Sequence, residues 1–269
     1  MIIHNLNPVF VDLGFFQIKW YSLAYIFGII FGWMYSKKII QILQEKELTF
    51  KTIKKSDFDS LISFLVLGII LGGRLGYVLF YNFEYYSQNY FEIFKLWNGG
   101  MSFHGGLIGV IISILIFSKK KRINFFKISD IISCAAPIGI FFGRIANFIN
   151  GELYGKVTSL PWAVIFKESD NLPRHPSQIY EALLEGLFLF LVINHLALKK
   201  RLLLKPGYIS SSFLIFYSIL RIFAENFREP DKHIGYILNY FSLGFLLSVI
   251  TLIAGILIIF LIKKNEQNN

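Results

Sequence analysis

Apolar residues along this chain gather into seven long stretches, separated by short connections rich in lysine, tyrosine and small polar residues. The stretches cover 20–36, 58–81, 102–118, 128–149, 178–198, 208–226 and 237–262. A helix needs roughly 20 apolar residues to cross the hydrocarbon core of a bilayer, so each stretch predicts a transmembrane helix. The first and third are short and are expected to lie near the bilayer normal. The pattern predicts an all-α, polytopic membrane protein whose residues 1–269 form one membrane-embedded domain. The longest connection after the fourth stretch, 150–177, holds Gly151, Gly155, Pro161, Pro173, Pro176 and a short alternating piece from Trp162 to Phe166. It predicts a small external cap, too short to be a domain of its own. No internal repeat is evident.

The basic residues orient the helices. Of 27 Lys and Arg, three lie inside the stretches: Arg74, Arg144 and Arg221. Seventeen follow the first, third, fifth and seventh stretches, as in Lys37, Lys38, Lys46, Lys51, Lys54 and Lys55, then Lys119, Lys120, Lys121, Arg122 and Lys127. Only seven occupy the opposite connections: Lys19, Lys95, Lys156, Lys167, Arg174, Arg228 and Lys232. Cytoplasmic loops carry the excess of Lys and Arg, which predicts an N-terminus outside and a C-terminus inside. Composition agrees: 55% of residues are hydrophobic and 16% charged, against about 25% charged in a soluble domain. The net charge of +10 therefore sets orientation and implies no nucleic-acid partner. Lys19 is the sole basic residue ahead of the first stretch, so no removable signal peptide is expected. Cys134 is the only cysteine. It excludes an intrachain disulfide, and in its apolar setting it reads as a small hydrophobe with no catalytic role. No metal-ligand spacing occurs, and neither metal nor cofactor is expected.

Charges inside membrane spans are costly and read as functional by default. Arg74, Asp130, Arg144, Glu181, Glu185, Arg221 and Glu225 are such charges. With the predicted orientation, Arg74 and Tyr77, His104, Arg144 and Asn147, Glu181 and Glu185, and Tyr217, Arg221 and Glu225 all fall near the outer surface. Asp130 alone falls at the inner edge, where helix capping or a salt bridge accounts for it. Tyr217, Arg221 and Glu225 share one helical stripe, and Arg221 and Glu225 are spaced to pair along it. An ion pair that merely holds helices together is an even alternative for those two alone. Three arginines at one depth suit a phosphate, since guanidinium donates in a planar, bidentate fork. His104 begins a stretch in Met101-Ser102-Phe103-His104-Gly105-Gly106. The glycines there admit close approach of a helix or ligand. The partial positive charge of a helix start favours a neutral imidazole, the form that acts as a general base. The plainer reading of this histidine by itself is an interfacial side chain bonded to a loop. His4, His195 and His233 read as ordinary.

Three segments taken together are more specific: Phe103-His104-Gly105-Gly106, then Gly143-Arg144-Ile145-Ala146-Asn147-Phe148-Ile149-Asn150-Gly151-Glu152-Leu153-Tyr154-Gly155, then Arg174-His175-Pro176-Ser177-Gln178-Ile179-Tyr180-Glu181. They resemble the prolipoprotein diacylglyceryl transferase family, and the middle segment resembles its signature at every hallmark residue. Tyr217, Arg221 and Glu225 followed by Arg228-Glu229-Pro230-Asp231 are similar to the family's last motif, and Trp20-Tyr21 with Tyr25 to its first helix. The resemblance covers nearly the whole chain.

What the resemblance implies is a reaction and its sites. The family moves the diacylglyceryl group of phosphatidylglycerol onto the lipobox cysteine of preprolipoproteins, releasing glycerol 1-phosphate, at the outer leaflet of the bacterial inner membrane. By that resemblance Arg144 and Arg221 are expected to hold the phosphate, with Glu225 and Glu152 orienting arginines or the glycerol headgroup. Asn147 and Tyr25 are expected to bond the lipid, Tyr217 and Gly155 to complete the binding site, and His104 to be the base. Glu181 and Arg74 are expected in supporting roles. A transporter or channel for an anionic solute is the main alternative, but it needs polar residues through the whole membrane thickness, and the inner halves of the stretches are apolar. Another phospholipid-modifying transferase of the outer leaflet is the second.

Overall fold

Each predicted stretch contains a long helix in the computed structural model, which describes residues 2–14, 17–45, 53–96, 99–167, 169–230, 235–237 and 240–267. Lys46, Lys51, Asp231, Lys232 and His233, which entered the charge count and motifs above, lie outside the described residues. The long helices are α1 (Trp20–Glu45), α2 (Lys55–Phe80), a short α3 (Phe83–Gln88), α4 (Phe103–Lys121) and α5 (Phe125–Ile149). They continue with α6 (Ser177–Lys199), α7 (Tyr208–Glu225) and α8 (Leu243–Gln267). Among the described residues, six of these are long and apolar enough to cross a membrane: α1, α2, α5, α6, α7 and α8. The chain is thus a mostly helical, multi-pass membrane protein. The predicted third span coincides with α4, which is 19 residues long, ends in three lysines and is not among the six.

Boundaries moved at both ends of the chain. Helix α1 runs nine residues past its predicted end, because Ser36 to Glu45 continue the helix with Ile39, Ile40 and Leu43 buried. The last helix starts later than predicted, since Tyr236–Ile237 and Phe241–Ser242 pair as a small hairpin before it. Short strands also appear, one of them within the alternating piece Trp162 to Phe166 and the rest where no element was expected. Ile2–His4 (β1) lies parallel to Val164–Phe166 (β4), which pairs in turn with Pro173–Arg174 (β5). Val9–Asp12 (β2) and Gln17–Lys19 (β3) form a hairpin just ahead of α1.

The chain divides into two compact units, residues 1–36 with 130–269 and residues 37–129. In the unit 37–129, α2 and α4 pack backbone to backbone. A Cβ on Gly72 would come within 2.3 Å of the Gly105 carbonyl oxygen, and one on Gly105 within 2.2 Å of the Gly72 carbonyl oxygen. Small residues at such a crossing let membrane helices approach closely. Gly105 thus serves a helix, one of the two uses its sequence context allowed. Asp57 fastens the other end of the pair, accepting from the Lys54 backbone N–H and from Lys121 Nζ, each at 2.9 Å.

In the unit 1–36 with 130–269, Asp130 caps α7. Its carboxylate accepts from the Gly207 backbone N–H and from the backbone N–H and hydroxyl of Ser210, all at 2.7 Å. That satisfies donors which a helix start leaves free, and it is one of the two explanations its position allowed. Asn194 ties three helices, donating to the Cys134 carbonyl at 3.1 Å and accepting from Tyr35 Oη at 2.8 Å. The connection 150–177 carries two strands of the three-stranded sheet and is clamped by Arg174. That guanidinium donates to the Gly155 carbonyl (2.9 Å), to Glu229 Oε2 (3.2 Å) and to Asp170, and lies 4.8 Å from the Tyr154 ring centre. The bond from Arg174 holds the Asp170 carboxyl well below the usual carboxylate range.

Candidate active site

Helix α6 is where the candidate site begins. Its Ala182–Phe188 turn is π-helical, a widened turn found frequently at functional sites. Gly186 lies in this turn, and a Cβ there would come within 2.8 Å of Phe141 Cα. The missing side chain lets α6 approach α5 closely, one turn from Arg144. Glu181 and Glu185 both project from this part of α6 and are almost wholly buried, at 1% and 0% exposure.

The two carboxylates and two arginines close a ring. Glu181 Oε2 pairs with Arg144 Nε and Glu181 Oε1 with Arg221 Nη1, each at 2.9 Å. Glu185 Oε2 lies 3.3 Å from Arg144 Nη2, and Glu185 Oε1 lies 3.4 Å from Arg221 Nη1. Arg221 Nη2 reaches along its own helix to Glu225 Oε2 at 2.8 Å, the pair that the spacing predicted. Arg228, just past the end of α7, adds a third guanidinium, 3.3 Å from Glu181 Oε1. Glu225 is fixed from its other side by the Ser242 hydroxyl at 2.6 Å. Arg221, Glu225 and Arg228 line a small cavity of about 30 Å³ with Gly235, Ser242, Leu243 and Gly244. Tyr217 sits within electrostatic reach of Arg144, Arg221, Glu181 and Glu185, and its ring stacks on Phe213.

The turn after α5 arranges the next group. Asn147 Nδ2 donates to Glu152 Oε1 at 2.7 Å, and Gln178 Nε2 donates to the Glu152 carbonyl at 2.6 Å. Tyr25 on α1 is 53% exposed, bonds Tyr21 Oη at 3.1 Å and senses the charges of Glu152 and Arg144. Gly155 is a backbone crossing. Its N–H donates to the His175 carbonyl at 2.9 Å, and a Cβ there would meet Phe227 O at 2.5 Å and His175 Cβ at 2.6 Å. No other residue fits at that position without moving the neighbouring chain.

Arg74 departs from one expectation. All five of its N–H groups go to backbone carbonyls: Nε to Ile93, Nη1 to Gly99 and Gly100, Nη2 to Glu92 and Lys95. A guanidinium with every donor spent has none for phosphate, so Arg74 holds the segment between α3 and α4, the supporting role. Its unit also contains His104, exposed in the first turn of α4, where the Ser102 hydroxyl accepts from the Gly105 N–H at 3.2 Å. Glu181 is likewise more central than a supporting role implies, since three guanidiniums converge on it. Glu185, read only as a charge near the outer surface, and Arg228, read only as part of the last motif, were given no role at the site. Their signal was spacing: Glu185 is four residues after Glu181, and Arg228 is seven after Arg221.

Comparison with known proteins bears on what this cluster serves. The model of the prolipoprotein diacylglyceryl transferase family matches residues 8–261. The chain belongs to this family. Among its relatives, a protein of Rickettsia bellii (strain OSU 85-389) is 48% identical over 266 residues, covering 99% of this chain and 98% of its own. Proteins of Rickettsia felis and Rickettsia canadensis are each 48% identical over 255 residues, covering 95% of this chain and 96% of theirs. All three are named phosphatidylglycerol–prolipoprotein diacylglyceryl transferase. Family membership runs through both compact units, so Arg144, Arg221 and His104 all lie within the matched length.

Proposed function

We propose that this chain transfers the diacylglyceryl group of phosphatidylglycerol to the lipobox cysteine thiol of preprolipoproteins. The end-to-end identity with relatives bearing that name carries the reading. In the reaction, the cysteine sulfur bonds to the terminal glyceryl carbon and the carbon–oxygen bond to phosphate breaks. Glycerol 1-phosphate leaves with the bonding electrons, and the thiol proton passes to a base. Arg144 and Arg221 hold the phosphate, Glu225 and Glu152 orient the arginines or the glycerol, and Asn147, Tyr25, Tyr217 and Gly155 complete the lipid site. His104 is the base. The guanidiniums support this assignment, because ionisable groups within membrane spans read as functional by default even when paired. Purified protein given phosphatidylglycerol and a lipobox peptide should yield a peptide heavier by one diacylglyceryl group, read by mass spectrometry. An unmodified peptide would sink the proposal.

We further propose seven spans, with α4 as the third, in one catalytic domain of the bacterial inner membrane. The N-terminus and the cap 150–177 are outside and the site faces the outer leaflet. The basic connections support this orientation. Phe80 at the end of α2 and Phe83, Tyr90, Phe91 and Phe94 after it are exposed, which fits a position at a membrane interface, on either side. In a Cys134→Ala background, Glu84→Cys and Val157→Cys should react with an impermeant maleimide in spheroplasts, and Lys120→Cys only after permeabilisation. The reverse pattern would invert the topology.

A further inference from the structure

The candidate site contains as many carboxylates as guanidiniums. Arg144, Arg221 and Arg228 come from α5, α7 and the residues after α7, and Glu181, Glu185 and Glu225 face them. The cluster is formally neutral. Both carboxylates of the ring come from one helix, at the widened turn of α6. Glu185 spans the two arginines with one oxygen each. These ion pairs occupy Arg144 Nε and Nη2 and Arg221 Nη1 and Nη2. Among the described residues, Arg144 Nη1 and Arg221 Nε stay outside them, so each arginine keeps a donor for a ligand.

Neutrality matters because the phosphate changes during the proposed reaction. The lipid donor is a phosphodiester with one negative charge. The leaving glycerol 1-phosphate is a monoester with up to two. Three guanidiniums without counter-charges would bind the product more tightly than the substrate and retain it. Release of product limits turnover in many enzymes, so an over-tight hold on the product would slow turnover.

Resting on the reading of Arg144 and Arg221 as phosphate ligands, we propose that Glu185 is a positioning residue that sets the anion affinity of the site. It fixes the angle between the two guanidiniums and supplies the negative charge that lets the more anionic product leave. Glu181 and Glu225 hold the same cluster from its other sides. The inference separates Glu185 from a plain helix fastener. A fastener's loss would loosen the arginines and weaken anion binding, whereas loss of a counter-charge strengthens it.

The test compares wild type with Glu185→Gln and Glu185→Asp at pH 7, reading kcat, KM for phosphatidylglycerol and inhibition by added glycerol 1-phosphate. The Gln variant removes the charge and keeps the shape. Its inhibition constant for glycerol 1-phosphate should fall about ten-fold, the scale of one charge a few ångströms away in a partly screened site. KM should fall less, and kcat should fall with the slower release. The Asp variant keeps the charge and should keep an inhibition constant within about two-fold of wild type. An unchanged or raised constant in Glu185→Gln overturns the proposal. If that variant does not fold, Glu225→Gln removes the same charge from the cluster, and an inhibition constant that fails to fall there overturns it equally. Wild type that turns over normally in this assay upholds the proposed function whichever way the variants behave. Wild type that forms no thioether would sink that function instead.

Discussion

Replacing Arg221 or Arg144 by lysine is expected to cut transferase turnover about a hundred-fold or more, with the protein still folded. Lysine keeps the charge, so no carboxylate is left buried and uncompensated. Removing the charge outright would break a buried ion network at a cost of about 3–5 kcal/mol and confuse folding with catalysis. What lysine loses is the fork. Arg221 meets Glu181 and Glu185 through Nη1 and Glu225 through Nη2, three carboxylates from two helices, and still has Nε. An ammonium is a single point on a flexible stem and cannot serve three carboxylates and a phosphate from one position. Arg144 divides Nε and Nη2 between Glu181 and Glu185 in the same way. The measurement is turnover with phosphatidylglycerol and a lipobox peptide, beside a gel-filtration profile and a melting curve for each variant. Monodisperse variants that melt like wild type but turn over near normally would reduce both arginines to fasteners between helices.

These expectations could be drawn largely from the sequence, because membrane burial makes charge conspicuous. Arginine and glutamate in an apolar stretch stand out at once, and i, i+4 spacing foretold the Arg221–Glu225 contact. Asp130 was legible for the same reason, as a carboxylate near a helix start. Partner choice among several charges was not legible. Glu181, rather than Glu225 alone, gathers the guanidiniums because the widened turn of α6 and the close approach at Gly186 decide which carboxylates meet α5, and neither has a sequence period to read. Arg74 had the same composition signal as Arg144, yet its donors turn to five carbonyls of an irregular segment, a destination that spacing does not encode. Of the strands only Val164–Phe166 was foreshadowed, by the alternating piece from Trp162 to Phe166; the others, two to four residues long, are too short for an alternating pattern. Pairing Ile2–His4 with Val164–Phe166 also joins segments about 160 residues apart. Even so, Gly155 could be singled out, through the family resemblance, and the structure supplies the steric reason.

His104→Asn is expected to lower the rate by about a hundred-fold at pH 7, and much of that loss should return as pH rises. The reasoning starts from the nucleophile. A free thiol has a pKa of about 8.5, so at neutral pH only a few per cent is thiolate, and a base that removes the proton raises the reactive fraction. His104 occupies the first turn of α4, where its ring is exposed and the helix start is capped by Ser102. A neutral imidazole there can accept the thiol proton. The arginines offer a different route, since a cationic field lowers a thiol pKa without any base. The two routes differ in their response to pH. With His104 as the base, asparagine removes proton transfer but not the substrate site, and above the thiol pKa the thiolate forms unaided, so the pH–rate profile of the variant should climb towards that of wild type. With the field alone, His104→Asn should cost little at any pH. A deep loss that alkaline pH does not relieve would assign His104 to holding the peptide or lipid in place, because positioning lost with the imidazole is not restored by removing a proton. The profile of kcat/KM against pH for both proteins, taken from pH 6 to 9.5, distinguishes the three.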